Sequence, residues 1–193
     1  MYKNMVELLE PSENGTFKIE HFEIKDGDFM AMREGILPGR YVRLTHNGTV
    51  VMSDTSMEQR TNSDFCGRAH GDVLVGGLGI GMILLAVQDK ENVKSITVLE
   101  KYQEVIDMVA SQLDLNDKVK IVQADVYEWK PINSQRFDCI YMDIWDYINE
   151  DVYQKEMKPL KRKWGHYLKP LTESPKRFNT CWAEWQAKNG RRL

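Results

Sequence analysis

The chain has 193 residues, 42% of them hydrophobic, 10% aromatic and 28% charged, with a formal net charge of −3. That is the make-up of one globular domain with a proper core and at most a small appendage. No stretch is apolar for long enough to span a membrane, and the opening MYKNMVELLEPSENG lacks the basic-then-apolar order of a secretory signal, so no membrane partner and a cytoplasmic location are expected.

Three cysteines far apart (Cys66, Cys139, Cys181) argue against a disulfide framework, and four scattered histidines (His21, His46, His70, His166) support neither a zinc site nor a catalytic triad. The charge is unevenly spread. Residues 155–193 hold 11 Lys/Arg and 3 Asp/Glu, and the other 154 residues hold 15 and 26. A basic tail beside an acidic body either contacts a polyanion or folds back onto that body, and its interspersed aromatics favour folding back.

In chain order, FKIEHFEI alternates imperfectly and reads as a strand. YVRLTHNGTVVMSD is two β-rich runs joined by Asn47-Gly48, a pair suited to the positive φ angles of a type I′ turn. Pairing His46 with Thr49 places Leu44 opposite Val51 and Val42 opposite Ser53. Residues 1–62 are therefore expected to form a β-rich N-terminal unit, with its hairpin at 41–54.

Beyond this unit, strands and helices alternate. DVLVGG, SITVLE, VKIVQAD and FDCIYMDIW read as strands, with helices at GMILLAVQDK and KYQEVIDMVASQL between them. Such alternation predicts an α/β fold, a Rossmann-like doubly wound parallel sheet over residues 63–193. EDVYQKEMKPLKRKWGHYLK predicts a basic helix bent at Pro159. Ser174 and Pro175 are placed to cap and open a final helix that Gly190 ends. RFNTCW is a weak candidate for a fifth strand, and without one the fourth strand is an open edge that invites pairing, either with the C-terminal helices or in a homodimer.

Ligands of such sheets bind beyond the carboxyl ends of the strands. Four residue groups fall there. Gly77, Gly79 and Gly81 follow the first strand and permit close backbone approach, although a tight structural turn also explains them. Glu100 ends the second strand, 23 residues after Gly77, where a carboxylate can accept both ribose hydroxyls. Asp125 follows the third strand and is placed to accept from an adenine amine. Asp143 and Asp146 follow the fourth in YMDIWD. Met82 stands where the NAD fingerprint GxGxxG requires glycine, and no Walker lysine follows the glycines.

GxGxG, then Glu after the second strand and Asp after the third, resembles the class I S-adenosylmethionine-dependent methyltransferases over roughly residues 70–146. More narrowly, MSDTSMEQRTNSDF before VLVGGLGIG, with DIWD after the fourth strand, is similar to the spermidine synthases. The resemblance implies S-adenosylmethionine or a decarboxylated relative as cofactor. By position, Gln59 would lie near its amino-acid end, Glu100 at the ribose, and Asp125 with neighbouring Val126 at the adenine. Asp143, as base, and Asp146 would face a small amine substrate. Ile80 replaces the aspartate of that family's glycine loop, and the family's last strands have no counterpart, which implies a C-terminally shortened sheet. The expected function is methyl or aminopropyl transfer. The alternatives are a non-catalytic nucleoside-binding module, and a nucleic-acid methyltransferase using the basic tail. DIWD, which is not a DPPY-type or NPPF-type motif, counts against the last.

Overall fold

The computed structural model describes residues 2–132 and 135–193. Its first part is an antiparallel sheet of four strands in sequential order, β1 (Ser12–Asn14), β2 (Phe17–Ile24), β3 (Gly39–His46) and β4 (Thr49–Ser53). A short helix, α1 (Phe29–Arg33), lies between β2 and β3, capped by Asp28, whose carboxylate accepts from the Ala31 amide at 3.0 Å. The Asn47-Gly48 turn forms with positive φ at both residues, 51° and 78°, and His46 pairs with Thr49 as expected. A bulge between Leu44 and Thr45 then shifts the register by one. Leu44 faces Met52 instead of Val51, and Arg43 faces Ser53 instead of Val42. An extra residue in one strand moves every later partner, which the alternation pattern alone does not show.

Helix α2 (Ser56–Arg68) runs through the expected boundary at residue 62 and leads into the second sheet. That sheet is parallel throughout: β5 (Gly71–Gly76), β6 (Val93–Glu100), β7 (Val119–Gln123), β8 (Cys139–Met142) and β9 (Phe178–Cys181), in the spatial order β7-β6-β5-β8-β9. This is the doubly wound arrangement, with its switch point between β5 and β8. Val73, Leu74 and Val75 of β5 are all buried, as a strand covered on both faces requires. Their side chains feed two cores, with Val73 and Val75 on one side of the sheet and Leu74 on the other. Helices α3 (Met82–Val87) and α4 (Gln103–Val109) are the crossovers.

The C-terminal part differs from expectation. The basic helix is present as α5 (Glu150–Val152), a π-helical stretch over Tyr153–Met157 and α6 (Lys158–Gly165), with Pro159 at the start of α6. Ser174 and Pro175 do not open a helix. The chain instead enters β9, which pairs with β8 from Cys139↔Phe178 to Met142↔Cys181, so β8 is an interior strand and the open edge argued for pairing is filled. Only Glu184–Lys188 is helical beyond it, as α7, entered through Ala183 in the left-handed region. Much of the basic tail turns inward. Lys161 pairs with Glu184 at 2.5 Å, Lys163 donates to the carbonyls of Val126 and Trp129, and Lys169 bridges Asp72 and Asp138. No helix among the described residues is long and apolar enough to cross a membrane.

Candidate functional site

A cavity of about 380 Å³ lies between the carboxyl ends of β5, β6, β7 and β8 and the inner face of the antiparallel sheet, within the size range of small-molecule sites. The parallel sheet supplies Gly77, Glu100, Asp125 and Asp143 from its strand ends, and the antiparallel sheet supplies Phe17, Leu44, His46, Val51 and Met52.

The glycine turn is shaped by the chain itself. Gly77, Gly79 and Gly81 have φ of 95°, 52° and 74°, a region that disfavours any side chain. A β-carbon at Gly77 would collide with the Asp143 backbone carbonyl, at Gly79 with the Met52 thioether, and at Gly81 with Leu113. Gly77 and Gly79 line the cavity, and Gly81 lies outside its wall as the N-cap of α3.

Glu100 is buried at the end of β6, with one carboxylate oxygen accepting from the Leu78 amide and the other from the Tyr102 amide, each at 2.9 Å. Burial raises its pKa, and the amides oppose that rise. Each oxygen keeps a lone pair, so the group fits a diol on the cavity side. Asp125 accepts from the Tyr127 amide at 2.8 Å and pairs with Lys101 at 3.1 Å. Desolvation pushes its pKa up, but the amide and the ammonium outweigh it and hold the carboxyl below its ordinary value. Val126 is buried beside it in the cavity wall. The fit of these residues to an adenosyl group is therefore good in donor and acceptor type.

Asp143 is fixed by its backbone, whose amide donates to the Gly76 carbonyl at 2.8 Å. Burial pushes its carboxyl up to about 7. Asp146 is exposed at the rim of the same cavity. Between them Trp145 is buried and donates to Glu156 at 2.8 Å, tying the loop after β8 to the π-helical stretch. Tyr147 is 59% exposed and outside the lining.

Gln59 is not brought to the cavity. Its amide turns back to donate to the Asp54 carbonyl at 3.0 Å. Glu58, one residue earlier and about 100° around the helix, lines the cavity instead, and burial followed by the Asp143 charge pushes it up to about 8. Four further aromatic residues of the lining carry no signal in the sequence. Phe17 and His46 stack at 4.2 Å with Tyr102 tilted against both, and Trp182, expected on a helix, follows β9, lines the cavity and donates to Thr61 at 3.0 Å. His70 sits at the opposite end of β5, engaged with the Arg68 carbonyl and Cys139.

The strand order and the ligand-side carboxyl ends define a class I methyltransferase-like fold, with a resemblance to spermidine synthase. The chain is 19% identical to a spermidine synthase from Thermotoga maritima, over 83% of this chain and 52% of that one, with a TM-score of 0.49. It is 15% identical to the N-methyltransferase NodS from Bradyrhizobium japonicum WM9, over 60% and 65% of the two chains, with a TM-score of 0.43. The CcbJ methyltransferase from Streptomyces caelestis gives 15%, 58% and 46%, and 0.44. The chain thus spans about half the length of the spermidine synthase it matches. No protein-family model and no curated protein sequence matches it.

Proposed function

We propose that the chain binds an S-adenosyl sulfonium, either S-adenosylmethionine or its decarboxylated relative, and transfers a methyl or aminopropyl group to a small amine. The observation that supports this is the charge of the cavity. Glu58, Glu100, Asp125, Asp143, Asp146 and Glu156 line it against a single lysine, Lys101. Such a wall repels phosphates, which disfavours NAD, nucleoside triphosphates and nucleic acid, and attracts cations.

When bound, the sulfonium supplies a carbon already activated for displacement. The protein's part is then alignment and removal of a proton from the attacking amine. Glu100 and Asp125 hold the ribose and adenine, with Gly77 and Gly79 giving backbone access. Asp143, with its pKa near neutrality, is matched to general-base work at physiological pH. Asp146 at the rim draws in the cationic substrate.

Calorimetric titration with S-adenosylmethionine, its decarboxylated form and NAD tests the reading. Heat with at least one S-adenosyl compound and none with NAD is expected, and the absence of heat with both sulfonium compounds overturns it. Binding without product from any amine, unaltered in D143N, replaces it with a non-catalytic nucleoside-binding module.

A further inference from the structure

Glu58 has no counterpart among the residues that the sequence pattern marks for the site. It stands in the first turn of α2, is only 8% exposed, and lines the cavity together with Asp143. Among the described residues, neither carboxyl takes part in a salt bridge. The Ser53 backbone amide acts on the Glu58 carboxyl and opposes the rise in its pKa. Both carboxyls line the same cavity as the apolar side chains of Met52 and Trp182, and the Asp143 charge raises the pKa of Glu58, so holding both ionised is costly without a proton or a cation.

We infer that Glu58 is the second carboxyl of the acceptor subsite, so that Glu58 and Asp143 together grip an alkylammonium group when the site is filled. The catalytic part of this inference rests on the transferase reading above. The ammonium passes one proton to the pair, the freed nitrogen lone pair attacks the carbon bonded to sulfur, and the carbon–sulfur bond breaks with its electrons staying on the departing thioether. Asp146, exposed at the rim, is too open to serve as that partner, because charges in water are screened where buried ones are not.

Beside His46, Glu100, Lys101, Asp125, Asp146 and Glu156 of the same cavity lining, four ionisable groups lie behind the pair: Cys66 on α2, Tyr141 on β8, Cys181 on β9 and Tyr2 from the N-terminal segment. Burial raises the pKa of all four. With their pKa values raised, these four add no charge beside the two acids while they titrate.

Carbon-detected NMR of the side-chain carboxyls between pH 4 and 10, in the wild-type protein and D143N, gives a reading independent of any reaction. The Glu58 midpoint is expected well above the ordinary glutamate value and lower in D143N by about one unit. A Glu58 that titrates normally, or whose midpoint ignores D143N, overturns the inference. Butylamine then serves as the alkylammonium probe, added to the wild type, E58Q and E58D. E58Q is expected to bind it about tenfold more weakly, E58D to recover part of the loss, and the fold to be unchanged by circular dichroism. Equal affinity in wild type and E58Q also overturns the inference. Carboxyl coupling and amine binding that persist when no S-adenosyl compound binds uphold the subsite and reject the transferase reading alone.

Discussion

The backbone carbonyl of Asp143 occupies the place where a side chain on Gly77 would begin. The glycine turn is thus held against the residue proposed as base, and the two cannot be moved independently. At Gly79 the atom in the way is the thioether of Met52, the flexible side chain of a different sheet. Both glycines have positive φ, 95° and 52°, so both alanine variants carry backbone strain. Only G77A also meets immovable backbone. Urea denaturation is expected to show G77A less stable by about 3 kcal/mol or more and G79A by about 1–2 kcal/mol. The reverse ranking would mean that the Asp143 contact does not set the turn.

At the other end of the sheet Lys169 bridges Asp72 and Asp138 at 2.6 and 2.7 Å, and Asp138 also accepts from the Asp72 amide at 2.7 Å. This clip fixes the connection from α6 to β9. Desolvation raises the pKa of Asp138, but Lys169 and the amide outweigh it and hold the carboxyl below its ordinary value. A carboxylate whose folded pKa is lowered contributes stability above its unfolded pKa and loses it as pH falls through the folded one. K169M is therefore expected to lose about 3 kcal/mol at pH 7. The gap between variant and wild type should close below about pH 4. A gap that is constant with pH would show that Lys169 acts through packing of its stem alone.

The parallel strands were legible because β5 and β8 are short apolar runs buried on both faces, and a glycine turn after an apolar run has few other readings. The strand β9 was not, because FNTC places Asn179 and Thr180, both half-buried, in the middle of four residues, which leaves no apolar alternation to count. Its neighbour Ala183 enters α7 in the left-handed region, a role for which alanine carries no signal. In the site, Glu100, Asp125 and Asp143 were readable from their place at strand ends. Phe17, His46 and Met52 were not, since they reach the cavity only because the antiparallel sheet lies over the glycine turn. Gln59 and Glu58 differ by one step along α2, and spacing in the sequence does not say which of two adjacent helical residues faces inward until the helix is docked.

Glu100 and Asp125 should separate binding from stability. Glu100 is buried with an amide on each oxygen, so E100Q turns an NH2 group toward one backbone amide and leaves that donor unsatisfied. A loss of about 1–3 kcal/mol in folding stability is expected, along with a loss of S-adenosyl binding. Asp125 is paired with a largely exposed Lys101, a contact worth about 1 kcal/mol or less. D125N is expected to weaken binding about tenfold in calorimetry while leaving the urea midpoint nearly unchanged. A D125N protein with full affinity would remove Asp125 from the proposed adenine site.

Asp143 and Glu58 should make the protein less stable as the solution becomes more alkaline. Burial pushes Asp143 up to about 7, and burial with the Asp143 charge pushes Glu58 up to about 8. In the unfolded chain both ionise near pH 4. Between that value and their folded values the native state holds protons that the unfolded state has released. Stability therefore falls as pH rises through this window and levels off above it. D143N removes one of these costs, since an amide never ionises, and is expected to be more stable than the wild type by at least about 1 kcal/mol at pH 8. Near pH 4 the two proteins should be nearly equal. Thermal or urea denaturation at the two pH values reads the difference directly. A variant that gains stability while losing activity would mark Asp143 as a residue kept for chemistry at a cost to the fold. A D143N protein less stable than the wild type at pH 8 would mean that the carboxylate is satisfied where it stands and is not poised to take a proton.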